Sequence, residues 1–192
     1  MRRCFLYTAF ILLSACGTAD EKAKIESQPK SPLTKNTNSD VFNQSFGILL
    51  ADYFALKDNF VAENEELVNE YAEKLMMATD SLALQELRAD TNVVATAQTY
   101  TQGISAELKG LLGEKGLDNK RKSFQMASDQ LYDLIRTVQY NKAVIYHIFC
   151  PMAFYDQGAN WLSNSREIRN PYIPKKMLTC GEIKDSIDIR QK

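Results

Sequence analysis

Between Asp40 and Val138 the large apolar residues recur at helical spacing. Phe42, Phe46, Leu49, Leu50, Tyr53 and Phe54 form one stripe of period 3.6, and Asp40 stands where a helix needs a cap. A break across 57–62 precedes a second stripe of Leu67, Tyr71, Leu75, Ala78 and Leu82. The third runs through Val93, Val94, Ala97, Tyr100, Ile104, Leu108 and Leu111 and stops near Gly113 and Gly116, glycine being favoured just past a helix end. The fourth carries Phe124, Ala127, Leu131, Leu134, Ile135 and Val138. Amphipathic segments joined by short connections predict a mainly α fold, an antiparallel four-helix bundle over residues 40–142 in which each helix buries one stripe. Met76, Met77 and Met126 lie within these segments and read as core filler. The charged faces read as solvated.

After Asn141 the pattern changes. Ala143 to Phe149 is a β-branched and aromatic run that predicts a short strand, and Ile183, Ile187 and Ile189 alternate enough for a second. Between them lie Pro151, Gly158, Asn160, Asn164, Asn170-Pro171, Pro174 and Gly181, which argue against continued helix. Residues 143–192 are therefore expected to be an irregular cap with short strands, packed on the bundle as one domain with it.

The N-terminus has a different logic. Arg2-Arg3 precedes an apolar run of nine residues, Phe5 to Leu13, too short for the roughly 20 residues that a spanning helix requires. Leu13-Ser14-Ala15-Cys16-Gly17 follows, and it resembles the lipobox at which bacterial lipoproteins are acylated on cysteine and cleaved. The resemblance implies a signal peptide over 1–15 and lipidation of Cys16. Acyl chains contribute about 0.8 kcal/mol per buried CH₂, so more than one makes a stable membrane anchor. Residues 16–39 hold almost no large apolar side chain and read as a lipidated cysteine followed by a disordered tether reaching roughly 25–30 Å. The implied location is the cell envelope, on the outer membrane facing the periplasm, since Gly17 is not an inner-membrane retention signal.

Composition narrows the chemistry. Lys+Arg is 23 against Asp+Glu 24, so no basic excess exists to neutralise phosphates, and nucleic acid is not an expected partner. Loss of residues 1–15 would leave 21 basic and 24 acidic groups. His147 is the single histidine, which excludes multi-histidine metal sites within one chain. Of four cysteines, Cys4 would leave with the signal and Cys16 would carry lipid. Cys150 and Cys180 remain, in an oxidising compartment.

Both lie in the cap with His147, Met152, Trp161, Tyr172 and Met177. Thiolate, thioether and imidazole are soft ligands that select Cu(I) or Ag(I), so Cys150, Met152, Met177, Cys180 and His147 form one candidate metal site. Cys150 precedes proline and is biased to extended backbone, placing Met152 on its face; His147, three residues earlier, points the other way on a strand. Met177 approaches Cys180 only through a helical turn. The alternative joins Cys150 to Cys180 as a disulfide, with Trp161, Tyr172 and Phe154 as core anchors and Met152 and Met177 filling gaps, in a structural or interaction module. Spacing does not choose between the two. Catalysis is not expected: Cys150 and His147 face apart, and no CxxC, phosphate loop, GxSxG elbow or ExxH carboxylate site is present.

Cys150-Pro151-Met152-Ala153, Gly158-Ala159, Trp161-Leu162-Ser163, Ile168-Arg169-Asn170-Pro171-Tyr172 and Met177-Leu178-x-Cys180-Gly181 are similar to the domain-of-unknown-function family numbered 3347. The stretch Tyr146 to Ile187 carries this resemblance most closely, and the helices from Val41 more loosely. That family occurs as small exported lipoproteins and fused to adaptor subunits of heavy-metal efflux pumps. The resemblance implies an accessory role in copper or silver handling, with efflux components as partners.

Overall fold

The computed structural model describes residues 38–190, so the signal segment, Cys16 and nearly all of the tether lie outside it. Four long helices follow one another: α1 Asp40–Ala62, α2 Glu65–Asp80, α3 Thr91–Gly113 and α4 Leu117–Val138. A short 3₁₀ turn, Leu84–Glu86, bridges α2 and α3. Three strands follow, β1 Ile145–Cys150, β2 Ala159–Ser163 and β3 Glu182–Ile187, with a single helical turn at Pro174–Met177. They form an antiparallel sheet in the order β2-β1-β3, β1 in the centre. The molecule is thus mainly helical with a small C-terminal sheet.

α1 does not break across 57–62. Leu56 and Phe60 are fully buried and continue the apolar stripe of Phe46, Leu49 and Tyr53, so tertiary packing carries the helix on to Ala62. The chain turns only at Glu63, in left-handed backbone, and Asn64 then caps α2 by accepting the Leu67 N–H. The cap of α1 is Ser39 rather than Asp40: its hydroxyl accepts the Phe42 N–H at 3.1 Å. Ser39 and Asn38 are buried, so the last two residues of the expected tether belong to the folded domain; Asn38 Nδ2 donates to the Val138 carbonyl.

The buried stripe of α4 is the expected one, Phe124, Ala127, Leu131, Leu134, Ile135 and Val138. On α2 it is rotated by about one residue, to Val68, Ala72, Leu75 and Thr79. Met76 packs half-buried on the core, but Met77 and Met126 are exposed, contrary to their reading as core filler. At 100° per residue both fall on the side of their helix away from its buried stripe, Met77 almost directly opposite Val68 and Leu75, so neither reaches the core.

β2 was not expected. Ala159-Asn-Trp-Leu-Ser lacks a β-branched run and sits among turn residues, so its strand conformation comes from pairing: Ile148 faces Trp161 and Cys150 faces Ala159. Where β1 meets β3 a bulge between His147 and Ile148 shifts the register. One polar chain ties the edge strand β2 to both α1 and α4. The Leu162 N–H donates to the Tyr53 hydroxyl, and Tyr53 and Ser128 share a hydrogen bond. Because Ser128 spends its hydrogen on the Phe124 carbonyl, Tyr53 is the donor in that pair. Burial holds the Tyr53 phenol far above its ordinary pKa of 10, so it stays protonated and able to donate. Phe124 stacks on Tyr53 and packs at a tilt on Phe60 and Tyr172, with centroids 4.9–6.0 Å apart.

Candidate functional site

Cys150 closes β1 and is fully buried; Cys180 stands just before β3 and is half-buried. A disulfide joins them, with Cα atoms 5.6 Å apart. The pair of thiols that sequence alone left open between metal and cross-link is therefore a cross-link here, and as such it offers no thiolate to a metal.

Asn170 holds the Cys180 side of the staple. It is fully buried, its Nδ2 donates to the Cys180 carbonyl at 2.8 Å, and its own N–H donates to the Leu178 carbonyl. Its Oδ1 accepts the N–H groups of Tyr172 and Ile173 at 2.7 and 3.0 Å. This side chain shapes the Pro171–Pro174 bend that aims the helical turn, the turn role that the Asn170-Pro171 pair signals in the sequence. Tyr172 is buried, and its hydroxyl donates to the Asn160 carbonyl. Trp161 is buried under Gly181, where an added Cβ would lie 2.7 Å from the indole. Trp161 and Tyr172 are thus the packing residues expected of them, while Phe154 is only partly buried against Tyr172 at 5.3 Å.

Met177 and Cys180 are brought together by the helical turn on which their approach depends: the Cys180 N–H donates to the Met177 carbonyl at 3.1 Å. Their side chains differ in fate, since Met177 is exposed, as is Met152 beyond Cys150. Neither thioether fills a gap in the core. Cys150 and Met152 do not share a strand face, because β1 ends at Cys150 and a turn begins.

His147 is apart from the sulfur groups. Its ring stacks on Tyr132 at 4.1 Å, and its Nε2 is buried with no hydrogen-bond partner. Burial lowers its pKa from the ordinary 6.5, while Asp185 and Asp133 act in the opposite direction. Tyr132 donates to Asp185 at 2.7 Å and is pushed up to about 12, first by burial and then by that carboxylate. Among the described residues no group of three or more His, Cys, Asp and Glu side chains is placed to hold a metal ion.

Beyond Cys150 the connection to β2 is strained. Phe154, Tyr155 and Asp156 have φ of 51, 57 and 65°, three consecutive non-glycine residues in left-handed backbone, which costs each about 1–2 kcal/mol. Gly158, at φ 81°, completes the reversal where a Cβ would meet the Phe149 ring at 2.5 Å. The Gly158 N–H closes the turn on the Ala153 carbonyl at 2.9 Å. Its apex is Tyr155, 98% exposed.

At the same end Arg121, almost wholly buried, links three segments. Its Nε donates to the Pro171 carbonyl at 2.8 Å, Nη1 to Asp118 at 2.8 Å, and Nη2 to both the Phe60 carbonyl and Glu63 at 3.3 Å. Glu63 also pairs with Lys175, and that bond first, with Arg121 added, holds its carboxyl below the usual range. A cavity of about 500 Å³ opens here between Glu63, Glu65, Lys115, Asp118 and Lys175.

Fold and site together define a helical domain carrying a disulfide-stapled sheet. Residues 49–143 match the model of the family described as protein of unknown function, DUF3347, and the chain belongs to that family. The matched segment covers most of α1 through the end of α4, so the Cys-Pro-Met and Met-Leu-x-Cys-Gly elements lie beyond it. No curated protein and no solved structure matches the chain.

Proposed function

We propose that the chain is a non-catalytic interaction module of the cell envelope, tethered through lipid on Cys16, whose cap is held by the Cys150–Cys180 bond. In this reading the four helices are an antiparallel bundle acting as a rigid platform, and the partners are heavy-metal efflux components. The observation that supports it best is the disulfide with Asn170 and Trp161 packed around it, an arrangement that spends the two cysteines on rigidity. Connections as short as Glu63-Asn64 between α1 and α2 favour antiparallel neighbours. Capture of Cu(I) or Ag(I) by Cys150, Cys180, Met152, Met177 and His147 requires that bond to be reduced first.

Thiol counting on the mature protein tests the choice, followed by Cu(I) titration against a competing chelator. The module reading expects no free thiol before reduction, two after it, and no stoichiometric Cu(I) binding by the oxidised form. Free thiols in the isolated protein together with tight 1:1 Cu(I) binding would replace it with the metal reading.

A further inference from the structure

The apex of the β1–β2 connection displays a side chain that the fold does not use. Tyr155 is 98% exposed, yet its backbone and both neighbours are held in left-handed conformation by the Gly158–Ala153 hydrogen bond, the Phe154–Tyr172 ring contact and the disulfide at Cys150. Strain maintained to hold an aromatic ring in water points to a use outside the chain. Other exposed apolar groups flank the same staple: Met152 two residues past Cys150, and Met177 and Leu178 just before Cys180. Lys175 and Lys176 stand beside them, both exposed.

The position of this tip in the molecule limits its occupant. α1 has 23 residues and is about 34 Å long. Asn38 lies at its start, bonded to the Val138 carbonyl, whereas Lys175 pairs with Glu63 at its far end and Pro171 is held by Arg121 in the first turns of α4. Asn38, the first described residue, therefore lies at the end opposite the tip. Asp156, Glu65, Glu66 and Asp118 are exposed towards this end, interspersed with exposed Lys115, Lys122, Lys175 and Lys176, so a uniformly charged surface such as an anionic bilayer is not matched. Mixed charges around an aromatic anchor suit a patterned protein surface.

Building on the interaction-module reading, we propose that this tip docks a protein partner through Tyr155, the partner offering an apolar pocket for the ring with carboxylates facing Lys176. Tyrosine carries a large share of binding energy where it enters such a pocket, and a rigid turn presents it with little ordering cost.

Photo-crosslinking with full-length chain in cells that produce it tests this, with p-benzoylphenylalanine replacing Tyr155 in one variant and Ile48 in another. Ile48 is 56% exposed on the half of α1 nearer Asn38. The expected result is a discrete protein adduct from position 155 and none from 48. The partner so identified, once purified, should bind the wild-type chain. It should bind Tyr155→Ala and Lys176→Glu at least tenfold more weakly, and Ile48→Ala within twofold, with thermal midpoints of all three variants near wild type. Adducts only to lipid, adducts only to a second copy of the chain, or undiminished binding by Tyr155→Ala overturn the proposal. A partner captured through position 48 alone overturns the tip but leaves the interaction module standing; no adduct from either position overturns both.

Discussion

The Tyr53 hydroxyl accepts the Leu162 backbone N–H at 3.0 Å, joining a strand at the edge of the sheet to the middle of α1 across 109 residues of sequence. An edge strand carries N–H groups that its single neighbour cannot satisfy, and burying one unpaired is costly. Here the phenol supplies the acceptor and passes its own hydrogen to Ser128, which passes its hydrogen to Phe124. One tyrosine thus settles a strand and two helices at once.

Tyr53→Phe keeps the ring stacking on Phe124 and removes the oxygen, leaving the Leu162 N–H buried without an acceptor. The expected loss is about 1–3 kcal/mol of stability, read by urea denaturation. A midpoint equal to wild type would mean that water replaces the phenol there.

Asn170 makes three side-chain hydrogen bonds, two accepted and one donated, in a fully buried site. Asn170→Ala should cost roughly 2–4 kcal/mol, since the Tyr172 and Ile173 N–H groups and the Cys180 carbonyl all lose a partner. Hydrogen exchange should localise the loss to the segment from Pro171 to Cys180 before it reaches the helices. Uniform loss of protection across α1 to α4 at the same exchange rate would contradict that localisation.

Reduction of the disulfide removes a constraint between residues 30 apart in sequence, worth on the order of 3–4 kcal/mol by chain-entropy arguments. The thermal midpoint should fall on adding a reductant, and Cys150→Ala/Cys180→Ala should match the reduced protein. Equal midpoints with and without reductant would show the cap to be held by packing alone.

His147 has its pKa lowered in the fold, chiefly by burial. The unfolded chain takes up this proton near the ordinary 6.5 and the folded protein only at lower pH. The contribution is therefore complete above about pH 6.5 and declines as the pH falls below it, until the folded ring also protonates. Denaturation midpoints at pH 7.5 and 5.5 should differ more for wild type than for His147→Gln, which does not titrate. The same difference in both proteins would assign the pH dependence to the carboxylates.

The helical part is legible in the sequence because amphipathic periodicity is a local property, and in α4 the six residues of the expected stripe are all buried. Two short strands were also legible, from β-branched runs at Ala143–Phe149 and around Ile183 and Ile187. β2 was not, because Ala159–Ser163 becomes a strand only by lying against β1. Apolar character alone misplaces Met77 and Met126 in the core, whereas their angular position on the helix turns them away from the buried stripe. Sequence by itself determined that Cys150 and Cys180 would be the two thiols of the cap; only the tertiary structure decided that they bond. That choice depends on bringing two Cα atoms from opposite sides of a 30-residue excursion to 5.6 Å. The bend at Asn170, the pairing of β3 with β1 and the bed of Trp161 beneath Gly181 achieve this together. Each is a long-range contact, and no local pattern of residues encodes it.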